Sequence, residues 1–142
     1  MEMSFRWYGE SDPISLQYIR QIPNMRSIVS AVYDVKPGEV WPEESIEKMV
    51  KQCEENGLIF DVVESIPVHE NIKLGRDNVD ELLEVYCENI RRCAKYGVKY
   101  ESIHATWKGI NNIWNDGIKG DEIEKKLIST ITDCSNLGVP IV

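Results

Sequence analysis

The stretch Glu54-Glu55-Asn56-Gly57-Leu58-Ile59-Phe60-Asp61-Val62-Val63 carries a helix straight into a strand. Asn56-Gly57 is a helix stop, because glycine accepts the left-handed conformation that follows a last turn. The apolar run over residues 58–63 then reads as a buried strand. The same join recurs at Tyr96-Gly97-Val98 and Leu137-Gly138-Val139, so Gly57, Gly97 and Gly138 stand 40 and 41 residues apart. A unit of helix, glycine and strand repeated at that interval means parallel strands joined by right-handed crossovers.

The flanking segments fit the repeat. Residues 5–9 form a short aromatic strand candidate, and residues 15–22 show helical spacing through Leu16, Ile19 and Ile22. The β-branched run over 27–35 reads as a strand broken by Pro37-Gly38. A helix is expected over about 42–55, with Pro42 in its first turn, Glu43 and Glu44 at the positive end of the dipole, and Ile46, Met49, Val50 and Cys53 as its apolar stripe. Asp77 or Asn78 caps a helix over about 79–95, and a fourth strand is expected over 98–105. A last helix over about 121–135 leads to the opening of a fifth strand at 139–142.

Two closures suit such a chain, an open doubly wound sheet or a (βα)8 barrel. No Gly-x-Gly-x-x-Gly follows the first strand and no phosphate-binding Gly-x-x-x-x-Gly-Lys-Ser/Thr occurs, so a nucleotide fold is unsupported. A barrel needs eight units and typically about 250 residues. The 142 residues supply about four units and the start of a fifth strand. The expected fold is therefore α/β, a partial (βα)8 barrel forming a single incomplete domain over 1–142. Open strand edges and an uncovered inner face predict self-association.

Sixteen Lys and Arg against 24 Asp and Glu give a net charge of −8. Phosphate binding needs a basic face, so nucleic acid is not an expected partner. No apolar run reaches the roughly 18 residues of a spanning helix, so no membrane partner is expected either. The first residues lack the basic start and apolar core of a secretory signal, and a cytoplasmic location is expected. The four cysteines, Cys53, Cys87, Cys93 and Cys134, lie far apart with no Cys-x-x-Cys pair. They read as reduced thiols on helices.

In a barrel, chemistry sits at the C-terminal ends of the strands and in the loops after them. That rule selects Arg6, Trp7 and Tyr8 after the first strand, Tyr33, Asp34 and Trp41 after the second, Glu64, Ser65 and His69 after the third, and His104, Thr106, Trp107, Asn111, Asn112 and Trp114 after the fourth. Both histidines of the chain, His69 and His104, fall at such ends. They are the candidates for acid–base work near neutral pH, for polar contact to a hydroxyl, or for metal ligation. Glu64 could orient a sugar hydroxyl or ligate a hard divalent ion. The four tryptophans all fall in strand-end or loop positions, where flat aromatic faces pack on sugars or close a pocket. These residues make a polyol or sugar site plausible without making it specific.

Three runs carry a family resemblance. They are Met3-Ser4-Phe5-Arg6-Trp7-Tyr8-Gly9 with Asp12-Pro13 and Tyr18-Ile19-Arg20-Gln21-Ile22-Pro23; Ile28-Val29-Ser30-Ala31-Val32-Tyr33-Asp34-Val35 with Gly38-Glu39-Val40-Trp41-Pro42; and Val63-Glu64-Ser65-Ile66-Pro67-Val68-His69-Glu70 with Ile72-Lys73-Leu74-Gly75. Over residues 1–98 the chain resembles mannonate dehydratase. The resemblance implies a xylose-isomerase-like barrel, dehydration of D-mannonate to 2-dehydro-3-deoxy-D-gluconate in hexuronate catabolism, and a divalent Mn2+ or Fe2+ whose ligands are expected mostly beyond residue 142. Arg6, Trp7, Tyr8 and Glu64 carry over as substrate-pocket residues. His69 is carried over with them, and His69 and His104 are taken as the catalytic candidates.

From about residue 100 the character changes. Ser102-Ile103-His104-Ala105-Thr106-Trp107 and Gly109-Ile110-Asn111-Asn112-Ile113-Trp114 resemble a sugar isomerase or epimerase of the same barrel superfamily. A junction of two related barrels is therefore expected near 97–100. Three readings stand: a dehydratase whose present chain lacks turnover alone, a metal-dependent sugar isomerase or epimerase, and an inert self-associating half-barrel.

Overall fold

The computed structural model describes residues 3–64 and 66–102, together with Lys125 and Ser129. The described chain runs β1 (Met3–Arg6), α1 (Leu16–Arg20), β2 (Met25–Ser30), α2 (Glu43–Glu55), β3 (Ile59–Glu64), α3 (Glu70–Lys73), α4 (Val79–Lys95) and β4 (Tyr100–Ser102). The strands form one four-stranded sheet in the order β1-β2-β3-β4, and every neighbouring pair is parallel. Consecutive parallel neighbours with a helix in each longer crossover are the wall of a (βα)8 barrel, and the fold is a partial barrel of this kind.

The joins behave as the glycine spacing predicts. Gly57 has φ +67° and Gly97 φ +85°. At the first join Gly57 N–H donates to the Glu54 carbonyl and Leu58 N–H to that of Cys53; at the second, Gly97 donates to Ala94 and Val98 to Cys93. Both are Schellman caps, which satisfy the last carbonyls of a helix and aim the chain into the next strand. Leu58 and Val98 are buried against the core beside the cysteines whose carbonyls they cap.

Helix α2 buries Ile46, Met49 and Cys53. Helix α4 buries Val79, Leu83, Tyr86, Cys87, Asn89, Ile90 and Cys93. These stripes pack on Ile28, Phe60 and Val63 to form one core. The register places Phe5, Ile28 and Phe60 in one row and Arg6, Val29 and Val62 in the next, where an irregularity in the β2–β3 pairing skips Asp61 and so turns Val62 to the face opposite Phe60. Glu64, two residues beyond Val62, shares the face of Arg6. This is the inner face of the barrel.

Several expectations are corrected at element ends. The first strand spans Met3–Arg6, earlier than 5–9. The second ends at Ser30, not 35: Ala31 and Val32 are buried by packing in the following loop without joining the ladder. Pro42 is the N-cap of α2. The short α3 after Pro67 was not expected. Cys53 and Cys93 are reduced thiols, as expected, whereas Cys87 is disulfide-bonded, against the expectation. The expected helix over 121–135 and strand at 139–142 lie outside the described residues, apart from the helical positions Lys125 and Ser129.

Candidate functional site

The C-terminal ends of β1, β2 and β3 bring a charged aromatic cluster together. Arg6 Nε donates to Glu64 Oε2 at 2.9 Å, with the arginine side chain 45% exposed and the glutamate 12%. The Arg6 guanidinium lies 4.6 Å from the centroid of the Tyr8 ring, a cation–π distance. The Tyr8 and Tyr33 rings are tilted against each other at 6.4 Å. Both tyrosines are about half exposed, at 52% and 50%. A half-exposed phenol presents a flat apolar face and a hydroxyl to whatever occupies the mouth.

Local sequence holds this cluster in place. Asp12 accepts from Tyr8 N–H with one oxygen and from Ile14 N–H with the other, each at 2.9 Å. This carboxylate folds the turn after β1, as Asp-Pro favours. Ser30 Oγ donates to the Trp7 carbonyl at 2.6 Å, and Tyr33 Oη donates to it at 3.4 Å. Gly9, at φ +86°, lets the turn approach Tyr33: an added Cβ would stand 3.3 Å from that ring. Beside the pair lies an open cleft of about 290 Å³, lined by Tyr8, Tyr33, Asp34, Glu10 and Lys48 among others. Glu10 is held below the usual carboxylate range, chiefly by hydrogen bonds from Lys48 and Gln52.

The loop between β2 and α2 is fixed from behind. Asn89 of α4 accepts from Trp41 N–H at 2.7 Å and donates to the Glu39 carbonyl at 3.2 Å. Arg92 donates to the Trp41 carbonyl at 2.9 Å.

Of the site residues expected from sequence, Arg6, Tyr8 and Glu64 meet, with Tyr33 beside them. Trp7 does not present a face to a ligand. Its side chain is 4% exposed in the core, because the residue after the inward Arg6 turns to the helix side. Trp41 is buried as well. His69 is the N-cap of α3: its Nδ1 accepts from Asn71 N–H at 3.0 Å. It lines a small cavity of about 10 Å³ with Gly38, Trp41 and Leu82, apart from Arg6 and Glu64. His104, Thr106, Trp107, Asn111, Asn112 and Trp114 lie outside the described residues. Asp12, Ser30 and Asn89 were not anticipated. Asp12 is signalled by Asp-Pro, whereas an asparagine inside a helix gives no local sign of what it ties down.

Among the described residues, no group of three or more His, Cys, Asp or Glu side chains could hold a metal ion. No helix of the described residues is long and apolar enough to cross a membrane.

A parallel βα wall with polar and aromatic side chains gathered at its strand C-termini is the arrangement seen at the mouth of (βα)8-barrel enzymes. Residues 1–113 match the family D-mannonate dehydratase (UxuA), and the chain belongs to that family. Mannonate dehydratase of Streptococcus uberis is 54% identical over 98 residues, 69% of this chain and 28% of that protein. That of Oceanobacillus iheyensis is 50% identical over 99 residues, 70% and 28% of the two chains. The crystal structure of mannonate dehydratase from Streptococcus suis serotype 2 matches with TM-score 0.86 and 32% identity, over 100% of this chain and 51% of that one. A xylose isomerase domain protein from Planctomyces limnophilus matches with TM-score 0.66 and 9% identity, over 98% and 52%, and shares the fold. The chain thus spans about half of the solved relatives. The family is one of dehydratases, hydro-lyases that act on a sugar acid.

Proposed function

We propose that these strand ends form one side of the active-site mouth of a mannonate dehydratase, which removes water from D-mannonate to give 2-dehydro-3-deoxy-D-gluconate in cytoplasmic hexuronate catabolism. The Arg6–Glu64 pair beneath Tyr8 and Tyr33 carries this reading. A cation, a carboxylate and two half-exposed phenols gathered at neighbouring strand ends suit a chain of hydroxyls ending in a carboxylate. Dehydration needs a proton taken from the carbon next to the carboxylate and another given to the departing hydroxyl. His69, whose Nδ1 accepts from Asn71 N–H, stands as the first acid–base candidate. His104 stands as the second acid–base candidate. A divalent Mn2+ or Fe2+ would stabilise the enediolate charge. The described residues do not themselves form its ligand set, and their part is to bind and orient.

Two further features belong to this reading. The pairwise matches extend over 98 and 99 residues, about 70% of the chain, and the family match covers 1–113; a change of character near 97–100 is our reading of residues 102–114. Met3, Ile59 and Tyr100 are exposed along the sheet. Their exposure supports self-association, which sedimentation reads directly; nucleic acid and membrane have no place in this proposal.

The test is dehydration of D-mannonate with Mn2+, read by appearance of the keto-deoxy acid. It is run on this chain alone and mixed with the remaining barrel half of the Streptococcus suis relative. The chain alone is expected to be inert, and the mixture active. Activity on aldoses or ketoses instead of mannonate would favour the isomerase alternative that residues 102–114 resemble.

A further inference from the structure

Arg6 is held on two sides and open on a third. Its Nε is engaged by Glu64 at 2.9 Å, and its flat face lies 4.6 Å from the Tyr8 centroid. Among the described residues no further bond occupies its terminal nitrogens. The pair reaches over β2 and is fixed to two strands at once, so the guanidinium is restrained before any ligand arrives. A guanidinium with Nε committed still presents the Nη1/Nη2 edge, whose parallel N–H bonds match the two oxygens of a carboxylate.

The surroundings narrow the ligand. Glu64 is close by, Asp34 lies in the adjoining cleft, and the chain carries −8 overall. Such a field opposes a doubly charged phosphate more than a single carboxylate. A neutral hydroxyl would not need a charged fork, since Tyr8 and Tyr33 already offer phenols.

We propose that Arg6 is the carboxylate anchor of the site, the residue that separates a sugar acid from the corresponding neutral sugar alcohol. Glu64 is its positioning residue. This inference rests on the sugar-acid reading above, and it adds which atoms perform the discrimination. Glu64 sets the direction of the fork, and its own charge keeps the bound acid from being held too tightly.

Calorimetric titration of the intact chain with D-mannonate, D-gluconate and D-mannitol tests the anchor. The chain is expected to prefer both acids to mannitol by at least about tenfold. Arg6→Gln should weaken the acids by about 10- to 100-fold, the worth of charge-assisted hydrogen bonds, and leave mannitol within about twofold. Adding ethylguanidinium to Arg6→Gly should restore acid binding alone. Glu64→Gln should weaken the acids less than Arg6→Gln does and spare mannitol. Equal weakening of acids and mannitol by Arg6→Gln would give the residue a merely structural role and overturn the proposal. So would a wild-type chain that binds acid and alcohol alike, or binds no acid at all. Acid preference through Arg6 without dehydration in the mixed halves would leave the anchor standing and remove the dehydratase reading. Dehydration with an unchanged KM in Arg6→Gln would do the reverse.

Discussion

Arg6 on β1 meets Glu64 on β3 at 2.9 Å, across a strand that separates them. β1 and β3 share no backbone hydrogen bond, yet their side chains join at the end where the barrel opens. Because the arginine is 45% exposed, this pair is a weak source of stability. Arg6→Gln should cost no more than about 1 kcal/mol in urea unfolding. A loss above about 3 kcal/mol, the size found when a buried pair is broken, would make it a structural clasp instead.

Asn89 is a different kind of polar residue, buried and doubly bonded to the β2–α2 loop. Replacing it by alanine strands the Trp41 N–H and the Glu39 carbonyl. Asn89→Ala should lose about 2–4 kcal/mol, and Asn89→Asp, which keeps the acceptor, should lose less than the alanine variant. Denaturant midpoints of the two variants check the order.

Two glycines with φ +85° separate backbone strain from crowding. A Cβ on Gly38 would stand 2.8 Å from His69 Cδ2 and 3.0 Å from Leu82 Cδ2, while one on Gly97 meets nothing within 4 Å. Gly97→Ala should cost only the conformational term, about 1 kcal/mol, and Gly38→Ala clearly more. Equal thermal shifts would show that the His69 and Leu82 side chains yield freely.

Among the described residues the buried Trp7 indole N–H has no hydrogen-bond partner. Trp7→Phe loses volume but also removes that unmet donor, so the two effects offset to within about 1 kcal/mol. Trp7→Ala should lose about 3–5 kcal/mol. A large cost for phenylalanine would disclose an acceptor for the indole.

Glu43, at the start of α2, accepts from Lys95 and from Tyr96 Oη, and these bonds, led by that from Lys95, hold its carboxyl below the ordinary 4.5. A depressed carboxyl contributes stability above its unfolded value and loses it as pH falls through the folded one. Thermal stability should therefore hold from pH 7 down to about 5 and then decline. Glu43→Gln should flatten part of that decline; an identical acid limb in the variant would refute the assignment.

Much of the fold was written in the sequence, because helix stops and apolar periods are local signals. Gly57 and Gly97 marked both Schellman caps, and the helix over 79–95 was placed to the residue. The second strand was overrun because Ala31 and Val32 are buried by loop packing, which apolar character alone cannot distinguish from a ladder. Arg6, Tyr8 and Glu64 were legible because barrel topology names the strand ends. Trp7 was misplaced because one residue of alternation decides which side of the sheet it faces. Asn89 was invisible, since its partners lie about fifty positions away.

The β2–α2 loop is bound at Glu39 and at both the N–H and the carbonyl of Trp41 to a helix of the outer ring. A segment anchored at three backbone atoms does not sweep over the mouth as a flap. Ligand entry past Tyr33 should then follow simple diffusion into a preformed wall, with an association rate that shows no saturation as ligand concentration rises.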